Sequence, residues 1–165
     1  MKNKSRLIPL AAIAVVAVSG YAFAADLPKE GTYDYTVCFI RNSARIDYSK
    51  TQFAYSYEET GTAVGKVSGT LFDGETVRCV GMTASLDGKR TGGSLCEGVA
   101  KDGDKRLTRF WYDNDGKFQR EQVSGTGRYD GMVTTGSVKA MGPPEEVKPG
   151  TVKVCNHATG TYKLK

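Results

Sequence analysis

Apolar and polar residues alternate along much of the chain. Tyr33, Tyr35, Val37 and Phe39 fall at every second position, as do Phe53, Tyr55 and Tyr57. A period of two sends successive side chains to opposite faces of a strand and buries one face. Beyond residue 25 no segment sustains the 3.6-residue period of an amphipathic helix. Asp73-Gly74, Asp87-Gly88, Asp102-Gly103 and Asp115-Gly116 interrupt the alternation. Such dipeptides favour tight reversals, because glycine takes a positive φ without strain. The pattern predicts strands over residues 32–41, 51–60, 64–72, 75–86, 89–100, 105–112, 117–124, 132–140 and 151–163. Pro143, Pro144 and Pro149 mark a loop before the last strand, since proline cannot donate to a ladder. The expected fold is all-β: an antiparallel up-and-down β-barrel of about eight strands, closed by the first and last strands.

Turn length sets register. Taken as a two-residue turn, Asp87-Gly88 places Leu86 opposite Lys89 and therefore Cys79 opposite Cys96. That pair falls at a non-hydrogen-bonded site, where Cα atoms lie ~4.5 Å apart and a disulfide fits. Cys38 and Cys155 remain, on the first and last strands. Joining them brings those strands together and removes two free edges. With Asp73-Gly74 as a second two-residue turn, Gly69 faces Arg78, Val67 faces Val80 and Leu71 faces Thr76. A three-residue loop at Asp102–Asp104 pairs Glu97 with Arg109, Leu95 with Trp111 and Val99 with Leu107. Another at Asn114–Gly116 pairs Arg109 with Glu121 and Leu107 with Val123. One face then carries the row Gly69, Arg78, Glu97, Arg109, Glu121 between two mostly apolar rows.

The N-terminus changes the reading of charge and of cysteine. Lys2, Lys4 and Arg6 precede the apolar run Leu7–Val18, and Ala22-Phe23-Ala24 is an A-x-A site. Residues 1–24 are thus expected to be a cleaved signal peptide of bacterial type. Pro9, Ser19 and Gly20 break the run, which is shorter than the ~20 residues of a membrane span. Residues 25–165 are expected to form a single domain, periplasmic or secreted, with no membrane span. The whole chain has 23 Lys+Arg and 18 Asp+Glu. Three of the bases lie in the first 24 residues with no acid, leaving a net +2 and no case for a nucleic-acid partner. Four cysteines in an oxidising compartment read as two disulfides.

The chemistry on offer is narrow. A single histidine, His157, excludes a zinc centre with three imidazole ligands, and no C-x-x-C is present. Phosphate-loop and G-x-S-x-G signatures are missing too, so no metal and no cofactor is expected. The charged row has two placements. On the outside of a barrel it is a solvated cross-strand ladder. Inside, Glu97 and Glu121 would be buried carboxylates compensated by Arg78 and Arg109 beside Trp111, Leu95 and Val80. His157 is the default general base of an enzyme reading and otherwise a solvated residue. Tyr33, Tyr35, Tyr55, Tyr57 and Tyr129 either line a cavity or serve as ordinary strand residues. Arg41–Arg45 reads as a basic loop, either solvated or guarding a barrel mouth.

The run Gly125-Thr126-Gly127-Arg128-Tyr129-Asp130-Gly131, followed by Gly136, resembles a glycine-rich stretch of the allene-oxide-cyclase and dirigent type of eight-stranded barrel, within the calycin-like group. It departs from that pattern in having four residues between the last two glycines instead of two. The resemblance implies a hydrophobic cavity with a few acidic or polar groups, as in isomerising cyclases and in proteins that orient radical coupling. No catalytic residue of that group maps onto this chain.

These readings favour a binding module for a small apolar or aromatic molecule, with Val80, Leu95, Trp111, Arg78, Glu97, Arg109 and Glu121 as the ligand site. The alternative is a cofactor-free isomerase or cyclase drawing on Glu97, Glu121, Arg109 or His157. A third class is an envelope interaction protein that uses its outer face.

Overall fold

The computed structural model describes residues 27–165. The expected signal peptide, residues 1–24, lies outside the described residues. Among the described residues nine strands form in chain order: β1 (Glu30–Asp47), β2 (Phe53–Gly65), β3 (Thr76–Leu86), β4 (Lys89–Val99), β5 (Lys105–Tyr112), β6 (Phe118–Gly125), β7 (Val133–Ala140), β8 (Glu145–Lys148) and β9 (Thr151–Lys163). All pairings are antiparallel, in the order β6-β5-β4-β3-β2-β1-β9-β7, with β8 attached to β9. The sheet curls into a half-barrel. Its first and last strands pair, as the cysteines require, and the sheet then runs on to β7. The strands that end the order are β6 and β7, which face each other across a seam without a ladder.

Two reversals have the expected register. Across β3 and β4, Leu86 faces Lys89, Arg78 faces Glu97 and Cys79 faces Cys96. Disulfides join Cys79 to Cys96 and Cys38 to Cys155, the latter a Cα partner pair of β1 and β9. Arg109 faces Glu121 as expected.

Other expectations fail, for identifiable reasons. No strand covers 64–72. Instead β2 continues to Gly65 and pairs directly with β3, so Thr60, not Gly69, lies opposite Arg78. Residues 66–74 are a loop, folded by the Asp73 carboxylate, which accepts the N–H groups of Gly65 (2.9 Å) and Gly69 (3.0 Å). Its apolar pair Leu71 and Phe72 turns inward and plugs one end of the barrel. The Asp73-Gly74 pair, expected to turn a hairpin, is instead a loop clasp built on the aspartate. The reversal after β4 sits one residue earlier than expected, closed by the bond from the Ala100 N–H to the Asp104 carbonyl. Register slips by two: Leu95 faces Arg109, Glu97 faces Leu107 and Gly93 faces Trp111. A slip of two leaves every side chain on its face, so only the row order changes. A bulge between Leu107 and Thr108 sets Leu107 opposite Ser124 instead of Val123. The supposed loop Arg41–Arg45 is strand, because β1 runs on to Asp47 against β2.

The core lies on the concave face. Tyr33, Tyr35, Val37 and Phe39 of β1 are buried, with Val77, Cys79, Cys96, Ala158 and Tyr162. Tyr33, 2% exposed, lies over Gly160 and Gly136, where a Cβ would collide with its ring. The glycine-rich run forms the end of β6 and a 3-10 turn, Gly127–Tyr129, which inserts Tyr129 against Phe72. Beneath them Arg106 and Glu75 form a buried ion pair at 2.7 Å. One end of the half-barrel is therefore sealed by the 66–74 loop, this turn and that pair.

Candidate functional site

The alternation of β3 and β4 settles where the charged row lies. Cys79 and Cys96 point to the core, so Arg78 and Glu97, one residue away, point to water. Arg78 pairs with Glu58 (2.7 Å) and Glu97 with Lys105 (3.1 Å), all four side chains about half exposed. Arg109 and Glu121 share that outer face. The expected polar feature of a cavity is thus a solvated ladder, in which each pair contributes ~0–1 kcal/mol. Of its two possible placements the outer one holds, which the pattern could not decide because a row of alternating charge between apolar neighbours reads alike from either side of a sheet.

Four of the sequence-predicted ligand residues do meet, on the outside. Val80, Leu95, Arg109 and Trp111 line a shallow outer hollow of about 390 Å³. Gly93 opposes Trp111 there, and the Arg109 guanidinium sits 4.7 Å from the indole ring. Arg78, Glu97 and Glu121 do not line it. His157 also faces outward, in a second hollow of about 410 Å³ with Thr36, Val64 and Lys66. Its Nε2 lies 2.7 Å from Asp34 Oδ1, and this hydrogen bond holds the Asp34 carboxyl below the usual range.

The inner face holds a different constellation, at the end of the barrel opposite the plug. Register builds it rung by rung. Tyr57, Gly81, Ser94, Phe110 and Arg120 stand side by side on β2 to β6. Tyr55 and Thr83 occupy the next rung outward, then Phe53 and Ser85. Small residues on β3 and β4 therefore form a floor between two aromatic walls. One wall is the β2 ladder Phe53, Tyr55, Tyr57, with ring centroids 6.3 and 5.7 Å apart. The other is Phe110, Phe118 and Tyr112, at 5.6 and 5.4 Å. Phe118 is 49% exposed, so this end is reached from solvent. Gly81 is required beneath the first wall, since a Cβ there would meet the Tyr57 hydroxyl and Ser94.

Arginines stand among the rings. Arg41 lies 4.5 Å over Tyr57 and Arg45 4.6 Å over Phe53, both projecting inward from the extension of β1. Arg41 also pairs with Glu59 at 2.7 Å. Glu59, its side chain 7% exposed, has its carboxyl pushed above the ordinary range by burial, which Arg41 only partly offsets. Burial likewise pushes up the Tyr57 phenol. Arg120 reaches across from β6, where Nη1 donates to the Tyr33 hydroxyl, and Tyr33 donates on to the Thr135 carbonyl of β7 (3.0 Å). Its Nε and Nη2 are buried without a partner among the described residues.

Among the expected tyrosines, Tyr33, Tyr35 and Tyr129 belong to the core, whereas the half-buried Tyr55 and Tyr57 lie on the inner face at the end opposite the plug. Sequence reasoning did not single out Glu59, Arg120, Phe110 or Phe118. Tyr57-Glu-Glu59 and Phe118-Gln-Arg120 put a charge at the same parity as an aromatic ring, but so does the outward-facing Arg109-Phe-Trp111, so parity with a ring does not by itself mark an inward charge. Among the described residues no cluster of metal-binding type is found.

No family model matches the chain, and no curated protein matches it. Among solved structures it is similar to a pterocarpan synthase dirigent protein, with a TM-score of 0.46 and 11% identity, over 85% of this chain and 94% of that one.

Proposed function

We propose that the chain is an exported small-molecule-binding half-barrel which takes an aromatic or apolar ligand on its inner face. The observation that carries this reading is the trough of half-exposed rings facing each other across a floor of glycine, serine and threonine. Two aromatic walls with a small-residue floor accept a flat ring by stacking and offer hydroxyls for orientation. Two formed disulfides suit an oxidising compartment, in keeping with a periplasmic or secreted location.

Native mass spectrometry of the protein isolated from its own cell envelope is expected to show a retained small molecule. In solution, Phe118→Ala is expected to weaken binding of a naphthalene-sized probe about tenfold, by loss of one stacking face. Trp111→Ala, on the outer face, is expected to leave it unchanged. The opposite pattern favours a second reading, an envelope interaction surface, which the exposed apolar hollow around Trp111 supports. Acid–base chemistry, were the trough to perform any, falls to Glu59, because Glu97 and Glu121 face water.

A further inference from the structure

Across β1 to β6 the inner face carries five arginines, Arg41, Arg45, Arg90, Arg106 and Arg120, against three acids, Asp47, Glu59 and Glu75. Three of the arginines each hold one acid. Arg41 takes Glu59, Arg45 takes Asp47 and Arg106 takes Glu75. All three do so with the same part of the guanidinium: Nε donates in every case, and Arg45 and Arg106 add Nη2. Arg90 has no acid but is exposed at the rim. Arg120 has no acid either, and its Nε and Nη2 are both buried and unpartnered among the described residues. Its neighbour Tyr33 does not neutralise it, because burial pushes that phenol above its ordinary pKa and keeps it uncharged at neutral pH. A second orphaned group, Thr134 Oγ1, lies on the inner face of β7, the strand across the seam.

A guanidinium with a buried, unpartnered donor edge is costly, and the edge formed by Nε and Nη2 is the one that binds carboxylate in a fork. Phe110 stands opposite Arg120 on β5, and Phe118 precedes it by two residues on the same face of β6. A carboxylate on that edge therefore has its attached ring beside Phe110 and Phe118. Resting on the small-molecule reading above, we propose that the ligand is an aromatic carboxylic acid whose carboxylate docks on Arg120, with its ring in the trough.

Isothermal titration of the disulfide-bonded protein with 2-naphthoate and with its neutral amide, 2-naphthamide, tests this. The acid is expected to bind at least about tenfold more tightly than the amide. Arg120→Gln is expected to abolish that preference while leaving amide binding in place, and Arg109→Gln, on the outer face, to change neither. An acid preference that survives Arg120→Gln, or vanishes with Arg109→Gln, overturns the assignment. So does equal binding of the two probes; the trough reading then stands if Phe118→Ala weakens both. Binding of neither probe overturns both readings. Should Arg120→Gln not fold, nitrogen-15 spectra of the unaltered protein serve instead. The Arg120 Nε–H resonance, assigned by its loss in Arg120→Lys, is expected to move with 2-naphthoate and not with 2-naphthamide. A resonance indifferent to the acid refutes the proposal.

Discussion

Arg106 and Glu75 are 3% and 1% exposed, yet neither can be replaced alone without leaving its partner charged and dry. Arg106 also donates to Thr108 (2.9 Å) and lies 4.3 Å over the Phe72 ring, so the pair ties β5 to the plug loop. Glu75→Gln is expected to cost about 3–5 kcal/mol, the penalty of an uncompensated buried charge, read from urea unfolding. Glu59 acts through pH instead. Its pKa in the fold lies above the ordinary 4.5, so the folded chain holds that proton more tightly than the unfolded one. Stability then falls as pH rises from that ordinary value through the folded pKa. Glu59→Gln is expected to flatten this limb of the stability curve, measured by urea unfolding at steps between about pH 4 and 7. Asp73 works on the acid side, because its backbone hydrogen bonds lower its pKa and their contribution is lost as pH drops below 3.8. None of these roles was legible in the sequence. Glu59 and Glu97 are both strand glutamates, and only their parity relative to the buried cysteines separates an inner carboxyl from a solvated one.

At the scale of elements, the cysteines were the most informative residues in the chain. With Asp87-Gly88 as the turn, counting alone pairs Cys79 with Cys96, and Cys38 with Cys155 then joins the first and last strands. The two bridges close loops of very different size. Removing Cys79–Cys96, at a separation of 17, is expected to cost about 3 kcal/mol, and removing Cys38–Cys155, at 117, about 5 kcal/mol by loop entropy. Paired alanine variants unfolded in guanidinium rank them. Gly160 makes a sharper local test, since an added Cβ would strike both the Thr135 carbonyl and the Tyr33 ring. Gly160→Ala is expected to cost about 1–3 kcal/mol in thermal melts, from overpacking where β9 meets β7. The plug loop escaped sequence reasoning because Leu71 and Phe72, next to an Asp-Gly pair, look the same ending a hairpin strand as anchoring a loop. Only the competing pairing of β2 with β3, over ten consecutive positions, decides between them.

At the scale of the molecule, the half-barrel is strong in the middle and weak at its seam. Strands β1 to β5 and β9 are each paired on both sides, whereas β6 and β7 have one ladder apiece. Backbone amides of β6 and β7 on the unpaired side are expected to exchange with deuterium faster than those of β2 and β3. A ligand bridging Arg120 of β6 and the inner face of β7 is expected to slow them. Exchange that is uniform across the sheet contradicts a weak seam.

Residue order alone determined the all-β character, both disulfides and the register of the β3–β4 hairpin. Each rests on local rules: a period of two, the conformational freedom of Asp-Gly turns, and the short reach of a disulfide. Tertiary structure decided which face is the inside, because a sheet's two faces are distinguished only when the sheet curls and one of them loses its water. That curl put the expected charged row outside and brought Arg120 within, beside the aromatic rings of distant strands.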